Sequence, residues 1–191
     1  IELHARLFHL LEKSWRHFFH QPKMPFLIVQ LSSLNRPSWP EFRNSQRLLA
    51  AQQAQTWLTV TSDVGDSLDV HYRNKQPVGK RLALQALHHV YEHAIVSEGP
   101  SCIKARAVGE LVYLYFENAQ RLQAKNGPLT GFEMAGEDGV YHAAKGEIEG
   151  ESVIVSCAEV PHPQTIRYGW QPFSRANLVN EALLPCSTFK K

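Results

Sequence analysis

Pro25-Phe26-Leu27-Ile28-Val29-Gln30-Leu31 is a short, nearly continuous apolar run that follows a break at Pro22. A run of this length, with Ile and Val at its centre, predicts a strand buried on both faces, as in a parallel sheet. The residues before it, 1–19, predict a helix. Leu3, Leu7, Leu10, Leu11, Trp15 and Phe18 recur at three- and four-residue steps and form one apolar stripe. Pro22 and Pro25 stop that helix. Downstream, Ser38-Trp39-Pro40-Glu41 has capping-box spacing, so a second helix starts there and runs through Phe42, Ser45, Leu48 and Leu49. Trp57-Leu58-Thr59-Val60-Thr61 is β-branched and aromatic, a second strand. Residues 76–92 predict a third helix, with Pro77 in its first turn and Val78, Leu82, Ala86 and Val90 on its apolar side.

Strands alternating with helices predict a parallel sheet with right-handed crossovers. Two strands alone leave apolar faces and edges open, so further strands are expected beside them. At Glu98-Gly99-Pro100 the pattern changes. Residues 111–116, 131–136, 152–157 and 165–170 read as short strands, separated by turns such as Asn126-Gly127-Pro128 and Glu137-Asp138-Gly139. That spacing predicts a small antiparallel sandwich. The expected organisation is a partial α/β domain over residues 1–97 and a β-sandwich-like domain over 98–191.

Composition bounds the function classes. The chain has 191 residues, of which 43% are hydrophobic and 20% charged, with a net charge of +2. That balance is globular and gives no strong nucleic-acid footprint. No apolar run reaches the roughly 20 residues that span a bilayer. The first apolar stretch is broken by His4, Arg6, His9, Glu12 and Lys13, so no signal peptide is visible. Cys102, Cys157 and Cys186 are too widely spaced for a metal site or a disulfide framework. They read as buried thiols, with one bridged pair left open. No cofactor-binding motif is present, and no Gly-rich phosphate loop.

Residues 63–75, D-V-G-D-S-L-D-V-H-Y-R-N-K, carry the chemistry. In open parallel sheets, ligands bind beyond the carboxyl ends of the strands, where this loop falls. A histidine with a carboxylate beside it has the parts of a general base and its orienting partner. The same aspartates also suit a turn before a helix. Ser67, in Gly65-Asp66-Ser67-Leu68, matches a hydrolase nucleophile string, but a histidine four residues later is out of that pattern. His89-Val90-Tyr91-Glu92-His93 matches a metalloprotease string. It falls where the helix ends, a place that favours histidine through the helix dipole.

At the loop the chain resembles the sialate O-acetylesterases, carbohydrate esterases of the SGNH-hydrolase type. The matching stretches are Met24 through Leu31, Asn35-Arg36-Pro37-Ser38-Trp39-Pro40, Phe42-Arg43-Asn44-Ser45-Gln46 and Asp63-Val64-Gly65-Asp66-Ser67-Leu68-Asp69-Val70-His71. Asn74-Lys75 and Val78-Gly79-Lys80-Arg81-Leu82-Ala83 continue them. Gly131-Phe132-Glu133, Arg167-Tyr168-Gly169-Trp170, Asn177-Leu178 and Leu184-Pro185 extend the likeness into the second half. The resemblance implies the end of a flavodoxin-like SGNH parallel-sheet domain followed by the β-sandwich. It implies hydrolysis of O-acetyl groups from sialic acids or other acetylated sugars by a serine, a histidine and an acid. His71 matches the catalytic histidine. Asp69, two residues before it, is the candidate acid. The wider superfamily places that aspartate three residues before the histidine, where Leu68 stands, and Asp66 is the weaker candidate.

The family's Gly-Gln-Ser-Asn nucleophile block does not occur in these 191 residues. The chain therefore reads as the C-terminal portion of a longer esterase, inactive alone. Its expected partners are an acetylated glycan and the missing N-terminal part of the same enzyme, or a homo-oligomer that covers the open sheet edge. No nucleic acid and no membrane span are expected. The resemblance implies a periplasmic or extracellular location. The other class of reading is a non-catalytic carbohydrate-binding or interaction module that kept the scaffold.

Overall fold

A computed structural model describes all 191 residues, Ile1–Lys191. The first half alternates as α1 (Glu2–Phe18), β1 (Phe26–Val29), α2 (Trp39–Gln52), β2 (Thr56–Thr59) and α3 (Gln76–His89). β1 and β2 pair in parallel, with Phe26 opposite Thr56 and Val29 opposite Thr59. That pair is the whole of the parallel sheet. The expectation of a flavodoxin-like SGNH sheet is corrected accordingly. The physical reason is that these 191 residues supply only two runs that form parallel strands. After α3 the chain turns into the antiparallel half, where Ser97 gives its carbonyl to Gln85 Nε2 at 3.1 Å and Glu98 gives its carbonyl to Asn180 Nδ2 at 2.8 Å.

α1 differs from the single-stripe expectation. One side packs inward, with Phe8 and Trp15 against the Phe26 ring. That side includes Glu12, which is buried and accepts a hydrogen bond from the Thr56 hydroxyl. Leu3, Leu7, Leu10, Leu11 and Phe18 lie on the other side, exposed, with Phe18 74% accessible. The helix thus has a used face and an unpartnered apolar face.

The second half contains β3 (Ser101–Val108), β4 (Leu111–Glu117), β5 (Gln123–Ala124), β6 (Phe132–Ala135), β7 (Tyr141–Glu149), β8 (Ser152–Ser156), β9 (Thr165–Tyr168), β10 (Leu178–Val179) and β11 (Phe189–Lys190). Seven of these form one antiparallel sheet in the order β11-β9-β6-β7-β8-β4-β3, and β5 pairs separately with β10. The sheet curls until its two edge strands approach each other. Lys191, just past β11, donates from Nζ to the Ile103 carbonyl of β3 at 3.1 Å. The sandwich expectation is thereby replaced by a nearly closed, barrel-like sheet.

β7 is the reason. Residues 141–144 of this strand pair with β6, and residues 145–149 pair with β8. A strand shared in this way joins what would otherwise be two sheets. Gly146 lies at the change of partner, against the Phe132 ring, where an added Cβ would stand 2.9 Å from ring carbons. The enclosed face carries Val112, Leu114, Phe132, Met134, Val153, Val155, Ile166, Tyr168 and Phe189, all buried. Burying each large apolar side chain contributes roughly 1.5–3 kcal/mol. The Tyr168 hydroxyl is inside this core and accepts the Leu178 N–H at 2.7 Å.

Arg43 of α2 joins the two halves. It is fully buried and faces no carboxylate; its guanidinium donates instead to Thr188 Oγ1 at 3.0 Å and to the carbonyls of Pro172, Gly169 and Gln171 at 3.0, 2.9 and 2.6 Å. Burial lowers its pKa to about 10, so it stays charged at neutral pH. Gln30, also buried, bridges from the end of β1 to the Arg43 carbonyl at 3.0 Å and to Ser187 Oγ at 2.7 Å.

Beyond the strand ends, Ser33 and Gly65 form a parallel bridge. Ser33 N donates to the Val64 carbonyl at 2.9 Å, and Ser33 Oγ donates to the Ser62 carbonyl at 2.5 Å. The same Oγ accepts the Ser174 N–H from the β half at 3.0 Å. Gly65 has φ +133°, and a Cβ there would fall 2.2 Å from the Ser33 carbonyl oxygen.

Two outcomes are expected. Arg43→Met removes four hydrogen bonds that tie α2 to residues 169–188, and destabilises the fold by about 3 kcal/mol or more. A lower urea midpoint at unchanged m-value is the measure of it. Gly65→Ala costs about 2 kcal/mol or more, through the backbone conformation and the clash with Ser33. A thermal midpoint equal to that of the parent would contradict it.

Candidate functional site

The site sits past the carboxyl ends of β1 and β2, where two loops run side by side. The residue 30–38 loop is held from below by the Leu31 N–H donating to Gln46 Oε1 at 2.9 Å. It is held from the β half by the Leu34 N–H donating to the Pro172 carbonyl at 3.3 Å. It touches the second loop again where the Asn35 N–H donates to the Ser67 carbonyl at 3.1 Å. Backbone bonds between irregular segments fix both loops without regular secondary structure.

Asp63 anchors the start of the second loop. Its two carboxylate oxygens take the two terminal nitrogens of Arg81, each at 2.6 Å. Arg81 also donates to the Val60 carbonyl at 2.9 Å. A bidentate, largely buried pair of this kind fixes orientation as well as charge. Arg81 comes from the inward side of α3 and is 8% exposed. In the sequence reading it has no role beyond the Val78–Ala83 stretch of resemblance. The signal was its position between Val78 and Leu82, on the buried side of the helix.

Asp66 shapes the middle of the loop. Its Oδ1 accepts the backbone N–H groups of Leu68 and Asp69 at 2.8 and 3.1 Å. Those donors hold its carboxyl below the usual carboxylate range. Asp69 repeats the arrangement: its Oδ1 accepts the His71 backbone N–H at 2.7 Å. The structure thus brings Asp69 and His71 together through the main chain. The Asp69 Oδ2 has no hydrogen-bond partner in the chain, and neither does the imidazole of His71, which is exposed. The acid and the histidine are neighbours, without a carboxylate–imidazole hydrogen bond.

Tyr72 follows His71 and is half-buried. Burial pushes its hydroxyl pKa up, while a hydrogen bond to Ser32 of the first loop opposes the shift. The Lys75 ammonium lies 3.6 Å from the Tyr72 ring centroid, a cation–π contact at the start of α3. Ser67, the serine of the Gly-Asp-Ser-Leu string, contributes its carbonyl to the loop–loop contact. Its hydroxyl makes no hydrogen bond to His71.

The other histidine motif comes apart. α3 ends at His89, and His93 lies beyond the turn that follows it, with its carbonyl 2.9 Å from His88 Nδ1. His89 stacks on Trp57, with ring centroids 4.2 Å apart, and its Nε2 lies 3.3 Å from Glu98 Oε1. No group of three or more His, Cys, Asp or Glu side chains is arranged to hold a metal ion. The three cysteines are all buried and unpaired, so no bridge joins any two of them. No helix is long and apolar enough to cross a membrane.

No protein-family model matches the chain, and no curated protein matches it significantly. Among solved structures, a carbohydrate acetylesterase from Xanthomonas citri matches with a TM-score of 0.87 and 35% sequence identity over 94% of this chain. The match takes in 44% of that enzyme's chain, so the 191 residues span less than half of the neighbour's length. In both sequence and fold, this chain is similar to one part of a carbohydrate acetylesterase.

Proposed function

We propose that the chain is the histidine-bearing part of a carbohydrate O-acetylesterase, with His71 as general base. The observation that carries this reading is the 35% identity to a carbohydrate acetylesterase over 94% of the chain. The placement of His71 supports it: an exposed imidazole lies on a tied-down loop at the carboxyl end of a parallel pair. There it would take the proton of a serine hydroxyl as that oxygen attacks the acetyl carbonyl. It would then return the proton to the departing sugar oxygen. Water repeats the sequence on the acetyl-serine and releases acetate.

Asp69 is the acid of this reading. Its Oδ1 holds the turn through the His71 N–H, which leaves Oδ2 available to the imidazole after a rotation of either side chain. No serine of this chain is hydrogen-bonded to His71, so the nucleophile belongs to further polypeptide of the same enzyme. Such polypeptide would cover the open edge of β1 and the unpartnered Leu3, Leu7, Leu10, Leu11 and Phe18 face of α1. A second copy of the chain is the competing cover, and sedimentation of the purified chain separates the two. The substrate proposed is an O-acetylated sialic acid or a related acetylated sugar, on the strength of the sequence resemblance. The location proposed is periplasmic or extracellular, on the same ground.

The 191-residue chain alone is expected to hydrolyse an aryl acetate no faster than buffer. In the complete enzyme, His71→Ala is expected to lower kcat by about a thousandfold or more, with KM little changed. Asp69→Asn is expected to lower kcat by less. Brisk turnover by the isolated chain that vanishes in His71→Ala would overturn the division of the site and return Ser67 to consideration. Binding of acetylated glycan by the complete protein without turnover would favour a non-catalytic module.

A further inference from the structure

A cleft of about 470 Å³ runs along the outer edge of β2, between the end of α2, the end of α3 and the strand end of β4. That volume lies within the range of small-ligand sites, roughly 300–1,000 Å³. None of residues 63–75 lines it, so it is separate from the loop that carries His71. Trp57 forms part of the wall, its indole stacked on His89 at 4.2 Å between centroids and 13° between planes. The rest of the wall is rich in hydrogen-bonding groups, among them Arg47, Gln55, Glu98 and Asn118.

Arg47 is the informative member. Its Nε and Nη2 both donate to Asn44 Oδ1, at 3.2 and 2.9 Å. Its Nη1 has no acceptor in the chain, and no carboxylate lies within 4.0 Å of the guanidinium. Burial pulls its pKa below the ordinary arginine value. A partly desolvated cation with a free donor edge is costly unless an anion comes to it. The acid in the same cleft does not serve. Glu98 Oε2 accepts from Asn118 Nδ2 at 3.1 Å, and neither carboxylate oxygen comes within 4.0 Å of Arg47.

We propose that this cleft binds a sugar ring that carries a carboxylate, with the carboxylate on Arg47 and the ring beside Trp57. The guanidinium supplies a planar pair of donors that matches a carboxylate. The aromatic wall takes the apolar face of a pyranose, as aromatic side chains do in ligand sites. Gln55, Asn118 and Glu98 line the same cleft and add polar groups for ring hydroxyls. Binding here needs no catalysis and does not rest on the esterase reading. In an enzyme acting on glycans, it would hold an acidic residue of the chain away from the reacting group.

The test is a titration of the full chain, followed by NMR through its four indole N–H signals, with Trp57 assigned from Trp57→Phe. The probes are digalacturonate, cellobiose and inorganic phosphate. Digalacturonate is expected to shift the Trp57 signal and the Asn118 side-chain amide, with cellobiose and phosphate at least about tenfold weaker. Arg47→Gln is expected to weaken digalacturonate by about tenfold, and Arg47→Lys by less. His71→Ala should leave the affinity unchanged. If Arg47→Gln does not fold, the map of shifted signals decides alone. Shifts confined to other tryptophans, equal binding of phosphate, equal binding of cellobiose, or no binding would each overturn the proposal.

Discussion

Arg43 carries a guanidinium into the joint between the helical layer and the curled sheet, where no carboxylate meets it. A lone buried cation is expensive to desolvate. It is tolerated here because three carbonyls and a hydroxyl, all from residues 169–188, converge on it. That requirement works in both directions. The charge needs those acceptors, and the loop after β9 needs a donor to hold three carbonyls turned inward. Gln30 and Ser33 extend the same seam, each bonded from the first half to a serine of the second. Ser33 is the point where this seam reaches the candidate site, since its hydroxyl is shared between Ser62 and Ser174. The position of the His71 loop therefore depends on the antiparallel half as well as on the two strands that precede it.

The curled sheet is rigid enough to act as that support because β7 serves two partners. Ala143, Ala144 and Gly146 are poor strand formers by propensity. They suit a strand that must bend past Phe132 and change neighbours. Small side chains at the bend let the two parts of the sheet fold over one core, and strand order follows from that. Lys191 Nζ reaching the Ile103 carbonyl then ties the two ends of the curled sheet at one point.

Legibility differed between the two halves for physical reasons. The three helices and both parallel strands were readable because proline breaks and apolar spacing marked them locally. Four strands of the second half were readable from the same signal. β3 and β7 were not: S-C-I-K-A-R-A-V and Y-H-A-A-K-G-E-I-E carry charges and alanines that give no clear alternation. They are strands because their neighbours hold them. The buried polar residues were missed for a related reason. Nothing adjacent in the chain marks Glu12, Arg43 and Arg81 as buried, because their partners, Thr56, the 169–172 carbonyls and Asp63, arrive from distant segments.

In the candidate site, the loop, its histidine and its three aspartates were legible from composition and placement after a strand. What each aspartate does was not. Asp63 holds an arginine of α3, Asp66 caps two backbone N–H groups, and Asp69 takes the His71 main chain. The sequence by itself determined the order of elements, the location of the loop and the resemblance to carbohydrate esterases, since each of these depends on neighbours in the chain. Only the tertiary structure decided that the parallel sheet has two strands, that the antiparallel half is one curled sheet, and which carboxylate faces which donor. Those outcomes depend on edges and buried charges finding partners across the fold, and local sequence carries no record of such partners.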